Sequence, residues 1–335
     1  MVASPSSLLL VCTLQSSKKR MELKEAQYFS KDFEWEKLRE EIENDISLHY
    51  HLESPPSSSF SLSKDSEAWQ NFHSRHYSGR FFKERRYLLK EFPELLDCDE
   101  NSKVLEIGCG NGSTVLPILR GKHSTIVYAC DCSTEALDRA KEIIETADGV
   151  SAKHRFCPFV CDFSANKFPN WLICNTCRRT SLKQLVDCET DVKDDKDTDL
   201  GASTALKEAQ CCVGGVHFVT LIFTLSAVPS EKMPPAIAEC LAVLRPGGVL
   251  LFRDYGLYDM TMLRFPANQR IGLREYVRSD GTRSYFFCLE TVRELFVAAG
   301  FIELELDYCC INSANRRHGK SMRRVWVHGK FQKPI

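Results

Sequence analysis

The sequence predicts an α/β protein built on a Rossmann-like, mostly parallel sheet with helices on both faces. Three observations carry this. A short apolar run, Lys103 to Ile107, ends in Gly108, Gly110 and Gly112 and leads directly into a second apolar run, Val115 to Leu119. An acid, Asp131, stands at the end of the next apolar run, Thr125 to Cys130. Strand-like and helix-like segments then alternate toward the C-terminus.

Glycine at alternate positions lets the chain turn tightly and lets a ligand reach main-chain N–H groups at a helix N-terminus. Ser113 and Thr114 are expected to cap that helix. A carboxylate at Asp131 can accept both hydrogen bonds of a ribose diol. The G-x-G-x-G spacing fits a nicotinamide dinucleotide loosely and S-adenosylmethionine better. A tight βα turn without a ligand has the same outline.

The elements follow in order. Residues 1–20 hold no acid, are rich in serine and end in Lys18-Lys19-Arg20. They read as a flexible extension ahead of Met21, with an organelle address left open. Residues 32–46 place Trp35, Leu38, Ile42 and Ile46 on one face, which suits a docking helix. Residues 54–66 form a Ser/Pro linker. Residues 67–92 read as a helical region of mixed aromatic and basic character, fit for a lid over ligand or RNA. Residues 22–95 are thus an N-terminal helical region, and the sheet domain spans 96–333.

Within that domain a helix is expected over 134–146. Strand three covers 154–161 and ends at Asp162. Strand four covers 216–225 and precedes a helix over 231–244. Arg245-Pro246-Gly247-Gly248 turns into strand five, 249–252. A helix over 289–299 leads to an antiparallel closing pair, 301–310 and 323–331. Residues 164–214 interrupt this pattern, and their acid-rich middle, 187–199, has no apolar period, as in a loosely packed loop. The interruption contains Cys174-x-x-Cys177, with Cys157 and Cys161 upstream. Those four have the residue type of a zinc site but irregular spacing, so no metal is expected.

Composition sets further bounds. The chain has 335 residues, 43% hydrophobic and 27% charged, with a formal net charge of -1. No global field draws it to nucleic acid, so any RNA contact must use local basic patches. Sixteen scattered cysteines suit reduced thiols in a cytoplasmic compartment, with a nuclear pool also allowed. No apolar run approaches a membrane span. There is no paired His and Arg set for hydride transfer, no phosphate-binding G-x-x-x-x-G-K-[ST] loop and no G-x-S-x-G elbow.

Three segments narrow the reading. They are Ile222-Phe223-Thr224-Leu225-Ser226-Ala227-Val228, Arg253-Asp254-Tyr255-Gly256-Leu257-Tyr258-Asp259, and Arg278-Ser279-Asp280-Gly281-Thr282-Arg283-Ser284-Tyr285-Phe286-Phe287. With Phe81-Phe82-Lys83-Glu84-Arg85 upstream, they resemble the class I methyltransferases that form 3-methylcytidine in the anticodon loop of tRNA. The resemblance runs from about Trp69 to Lys333, outside the 164–214 insertion. It implies a seven-stranded sheet with an antiparallel C-terminal strand, and S-adenosyl-L-methionine as cofactor. It implies cofactor contacts at Trp69, His73, Gly108, Gly110, Asp131, Asp162, Phe163 and Ile222. The chain departs from the family at His73, where a tyrosine is usual, and at His217, where an aspartate is usual.

The implied chemistry is direct. Cytosine N3 has a free lone pair at neutral pH and needs exposure rather than a general base. Its product is cationic, so Asp254 is expected to stabilise developing charge, with Arg253 or Tyr255 orienting the base. Mutual pairing of Arg253 and Asp254 to shape the strand end is the alternative. The RNA grip is expected at Lys83, Arg85, Arg278, Arg283, Arg316, Arg317 and Arg323. The implied partner is tRNA, with a seryl-tRNA synthetase as helper. His73 and His217 motivate a second reading, a methyltransferase-like binding protein without turnover. A small-molecule methyltransferase on the same fold is the third.

Overall fold

The computed structural model describes residues 31–53, 65–77, 83–151, 154–178, 211–315 and 320–335. The expected leader, most of the Ser/Pro linker, Phe81-Phe82, the acidic stretch 187–199, Arg316 and Arg317 lie outside the described residues.

Helix α1 (Trp35–Glu43) buries Leu38 and Ile42. Its Trp35 stacks on Tyr308 at 4.5 Å and donates from Nε1 to Leu257 O at 3.2 Å. Trp35, Leu38 and Ile42 thereby dock the helix on the main domain, whereas Ile46, expected on the same face, lies beyond the helix and is 82% exposed. The region expected as one helix over 67–92 is instead α2 (Asp65–His76), followed by the short α3 (Leu88–Glu91) and α4 (Glu94–Asp97). Between them the Arg85 amide donates to Ser113 O at 2.9 Å, so it serves the glycine loop rather than a helix. Gly79, a poor helix former, lies in the same stretch.

The main sheet begins with β1 (Lys103–Ile107), α5 (Val115–Gly121), β2 (Ile126–Asp131), α6 (Thr134–Glu145) and β3 (Phe156–Val160). It continues with β4 (Val216–Ile222), α7 (Met233–Val243) and β5 (Leu244–Tyr255). A small antiparallel sheet of β6 (Arg270–Gly272), β7 (Glu275–Val277) and β8 (Arg283–Tyr285) comes next. Helix α8 (Leu289–Ala298) leads to the closing ribbon of β9 (Ile302–Asn315) and β10 (Lys320–Gln332). The main sheet has seven strands in the order β3-β2-β1-β4-β5-β10-β9. β10 alone runs antiparallel to its neighbours on both sides.

Alternation along β1 divides the core. Leu105 and Ile107 pack with Ile237 and Leu241 of α7, and Val104 packs with Val115 and Leu119 of α5. Ser133 caps α6 by accepting from Ala136 N at 3.2 Å. The expected cap at α5 does not form: Thr114 makes no side-chain cap bond and turns toward the buried Glu106 carboxyl.

Register sets the ends of the strands. Ile107 lies beside Cys130 and Leu221, Asp131 beside Val160, and Ile222 beside Arg253. The residues that follow β1, β2, β3 and β4 therefore emerge along one edge, where α/β sheets bind ligands. Among the described residues, no helix is long and apolar enough to cross a membrane.

Candidate active site

A cavity of about 1580 Å³ opens along that edge. Its floor is the glycine loop. Gly108, Gly110 and Gly112 all have positive φ, at 66°, 51° and 79°. At Gly108 a side chain is also excluded by contact, because a Cβ there would collide with the Thr224 side chain. Thr224 is fixed in turn by its hydroxyl, which donates to Ile107 O at 3.0 Å.

Asp131 ties this loop to β2. One carboxylate oxygen accepts from Gly110 N at 2.9 Å, and the other from Ser133 N at 3.0 Å. Each oxygen keeps acceptor capacity toward the cavity, which Asp131 lines. Asp162 closes a small turn, taking Ser164 N at 3.1 Å and Ser164 Oγ at 2.7 Å on the same oxygen. Phe163 and Ile222 add apolar lining beside it.

Helix α2 forms the opposite wall. It packs on α6 and brings Trp69 and His73 to the cavity. The Trp69 indole N–H is buried with no hydrogen-bond partner among the described residues, so it remains available as a donor. Burial pushes the His73 imidazole below its ordinary value against the opposing pull of Asp131. Its neutral form therefore gains at neutral pH. A cradle of glycines, a half-used carboxylate and an orphan indole donor fit a nucleoside cofactor bearing a diol and a carboxylate.

The far side of the cavity is aromatic. Phe223 has a positive φ of 54°, a strained value for a bulky residue at a strand end. Its ring lies 5.0 Å from Tyr255 and 6.1 Å from Trp326. All three line the cavity. The Arg85 guanidinium stands 4.8 Å over Phe223, and Arg324 stands 5.3 Å over Trp326. Lys83, Arg86 and Arg278 complete a basic rim.

The comparisons with known proteins agree with this geometry. A family profile described as a methyltransferase domain matches residues 79–305. The chain is 36% identical over 270 residues to tRNA N(3)-cytidine methyltransferase METTL6 of Mus musculus, covering 79% of this chain and 80% of that protein. It is 32% identical over 305 residues to tRNA N(3)-cytidine methyltransferase METTL2 of Danio rerio, covering 80% and 74%. The chain belongs to the tRNA N(3)-cytidine methyltransferase family. A solved structure described as "Conversion of a Disulfide Bond into a Thioacetal Group during Echinomycin Biosynthesis" shares the fold. It has a TM-score of 0.50 at 12% identity, over 81% of this chain and 93% of that one.

Within this family fold, several charged residues singled out from the sequence turn away from the cavity. Arg253 is fully buried and ion-paired with buried Glu91, with its guanidinium 4.4 Å over Trp326 and 4.9 Å over Tyr87. It does not line the cavity, and the acid it pairs with is Glu91. Its expected role in orienting a base is therefore corrected to support of the aromatic wall from behind. Asp254 is likewise fully buried and outside the lining. It accepts from Ser226 N at 2.9 Å and from Tyr255 N at 2.8 Å, and burial raises its carboxyl to about 6. It fixes the turn after β4 rather than reaching the cavity. Of the three residues expected to act on the base, only Tyr255 lines the cavity.

The basic residues divide in the same way. Arg283 borders the cavity, but it is buried and bonded to Asp65 at 3.0 Å and Glu275 at 2.6 Å. It ties α2 to the small sheet, which corrects its expected phosphate contact. Arg323 pairs with Glu41 of α1 at 2.6 Å, away from the cavity. His217 also lies outside the lining, where its Nδ1 accepts from Lys103 N at 3.0 Å. This departure therefore touches the start of β1 and not the site.

Sequence reasoning missed Glu106, Phe223 and Trp326. Glu106 is buried between β1 and β4 with a hydrogen bond from Thr220 Oγ1, and burial raises its carboxyl to about 8. The signal available was an acid inside an apolar strand, which calls for a partner. Trp326, 71 residues beyond Tyr255 in sequence, reaches the wall because β10 pairs with β5 and sets Trp326 opposite Tyr255.

Proposed function

We propose that this protein methylates N3 of a cytosine in the anticodon loop of tRNA, with S-adenosyl-L-methionine as donor. The observation that carries this reading is a single cavity with a nucleoside-type floor on one side and a cation-rimmed aromatic wall on the other. Family membership supports the same chemistry. The cofactor supplies a methyl group on a sulfonium, which is already a good leaving group.

The chain's own residues then bind, align and exclude water. Asp131 takes the ribose diol with the acceptor capacity that Gly110 and Ser133 leave over. Asp162 takes the adenine amino group on the oxygen that Ser164 does not use, beside Phe163. Trp69 offers its indole N–H. Phe223, Tyr255 and Trp326 receive an unpaired base by stacking, which every base permits and which single-stranded loops allow. Lys83, Arg86 and Arg278 draw the flanking phosphates, giving affinity that falls with salt. Cytosine N3 attacks with its own lone pair, so the site needs no general base. Dependence on a seryl-tRNA synthetase belongs to the same proposal.

The test is transfer of labelled methyl from S-adenosylmethionine to tRNA transcripts. One has cytidine and a matched one has uridine in the anticodon loop, with and without the synthetase. Label in 3-methylcytidine of the first alone is expected. Equal labelling of both, or transfer to metabolites that ignores added tRNA, would reject the proposal.

A further inference from the structure

The insertion between β3 and β4 holds a cluster that methyl transfer does not use. Cys174 and Cys177 stand at the start and on the face of a single helical turn, residues 175–178. Cys211 and Cys212 stand where the chain returns toward β4. The four sulfur atoms all lie within 4.8 Å of one another. Cys211 Sγ is 3.5 Å from both Cys174 Sγ and Cys177 Sγ and 3.9 Å from Cys212 Sγ. Cys212 Sγ is 3.6 Å from Cys177 Sγ. A tetrahedral zinc thiolate with bonds of about 2.3 Å has sulfur–sulfur edges of about 3.8 Å. The cluster already has that size.

The surroundings hold it in place. The Arg178 guanidinium next to Cys177 bonds Glu239 of α7 at 2.8 and 3.0 Å and Phe168 O at 3.0 Å. On the returning arm, Val213 N donates to Trp171 O at 2.8 Å, and Lys103 Nζ to Val213 O at 2.7 Å. Gly214 N donates to Cys212 Sγ at 3.3 Å, the kind of N–H contact that stabilises a metal-bound thiolate. Cys157 and Cys161, the partners that sequence spacing offered for the Cys174-x-x-Cys177 pair, are not in the cluster.

We propose that Cys174, Cys177, Cys211 and Cys212 bind one zinc ion, which staples the two ends of the insertion together. All four positions are filled by protein, so the site is structural rather than catalytic. Its place agrees. It lies by the entry to β4, whereas the cavity lies at the strand's exit. Binding releases the thiol protons as the thiolates form, and the ion locks the crossing from β3 to β4.

The test uses the full chain, purified under reducing conditions. About one zinc per chain is expected by elemental analysis. Cys174→Ser with Cys177→Ser should lose the metal, and Cys157→Ser with Cys161→Ser should keep it. If the first variant does not fold, cobalt titration of chelator-treated native protein decides. A thiolate-to-cobalt charge-transfer band with tetrahedral ligand-field bands supports the site. Native protein without zinc and without that spectrum overturns the proposal. So does zinc retained by the Cys174/Cys177 variant, or the four thiols found as two disulfides by alkylation and mass spectrometry.

Discussion

The glycine-loop side of the cavity and the strand-five side use their charged residues in opposite ways. On the glycine side, Asp131 and Asp162 line the cavity and share their oxygens between local N–H donors and the open space. On the strand-five side, Arg253 and Asp254 are fully buried, and the cavity is met by Phe223, Tyr255 and Trp326. Under the proposed function the difference follows from what each side would hold. A nucleoside has fixed polar groups that need fixed acceptors. An unpaired base presents a flat face that any aromatic wall can take. The charges behind that wall shape it and do not line the cavity.

Substitutions can break this contrast, and the largest effect is expected at Arg253. Arg253→Ala removes the guanidinium from the buried Glu91 carboxylate, which keeps its contact with His328 Nδ1 at 3.0 Å, and should lower unfolding free energy by about 3–5 kcal/mol. Denaturant unfolding measures it. A variant of native stability with lost turnover would return Arg253 to the reaction. Asp131→Ala comes next. It removes the diol acceptor and an anchor of the glycine loop, so cofactor affinity should fall about a hundredfold, or about 2.7 kcal/mol. Titration calorimetry reads this, and affinity within a few-fold of native would sink the assignment.

Glu106 gives a pH signature of comparable size. Its carboxyl is raised from the ordinary 4.5 to about 8 in the fold, so the native state favours the protonated form. That stabilisation is full below the ordinary value and is lost as pH rises through about 8. The melting temperature should therefore fall from pH 6 to pH 9, and Glu106→Gln should flatten the curve. A variant with the same slope as native protein would assign the loss to another group. On the aromatic side, Tyr255→Ala should reduce kcat/KM for tRNA about tenfold, within the range of base stacking, with cofactor binding unchanged. Parallel loss of cofactor affinity would mean that the two sides are not separate.

The smallest effect is expected at Asp254. Asp254→Asn should keep turnover within about threefold, because the amide oxygen can still accept from a neighbouring N–H. It should also remove a stability term that native protein loses as pH rises from the ordinary carboxyl value through about 6. A thousandfold loss of turnover with intact cofactor binding would restore Asp254 as a catalytic group.

Local signals read well wherever one short segment carries the physics. The strand and three glycines at 103–112 positioned the turn, and Asp131 at the end of the next strand positioned the acid facing it. The helix expected over 134–146 is α6, Thr134–Glu145. The small sheet β6–β8 was missed because its strands have only 3 residues each, too few to show alternation. The region 67–92 was overextended because its aromatic and basic residues suit a helix face as well as a broken segment pinned to Ser113.

The sequence by itself determined the sheet domain, its nucleoside edge and its family, because strands, turns and strand-end residues are encoded within a few positions of one another. Tertiary structure alone decided which way the charged residues face. Arg253 meets Glu91 from 162 positions earlier, and Arg283 meets Asp65 from 218 positions earlier. Cys177 meets Cys211 across 34 positions. Burial and pairing are set by such distant partners, and no local pattern records them.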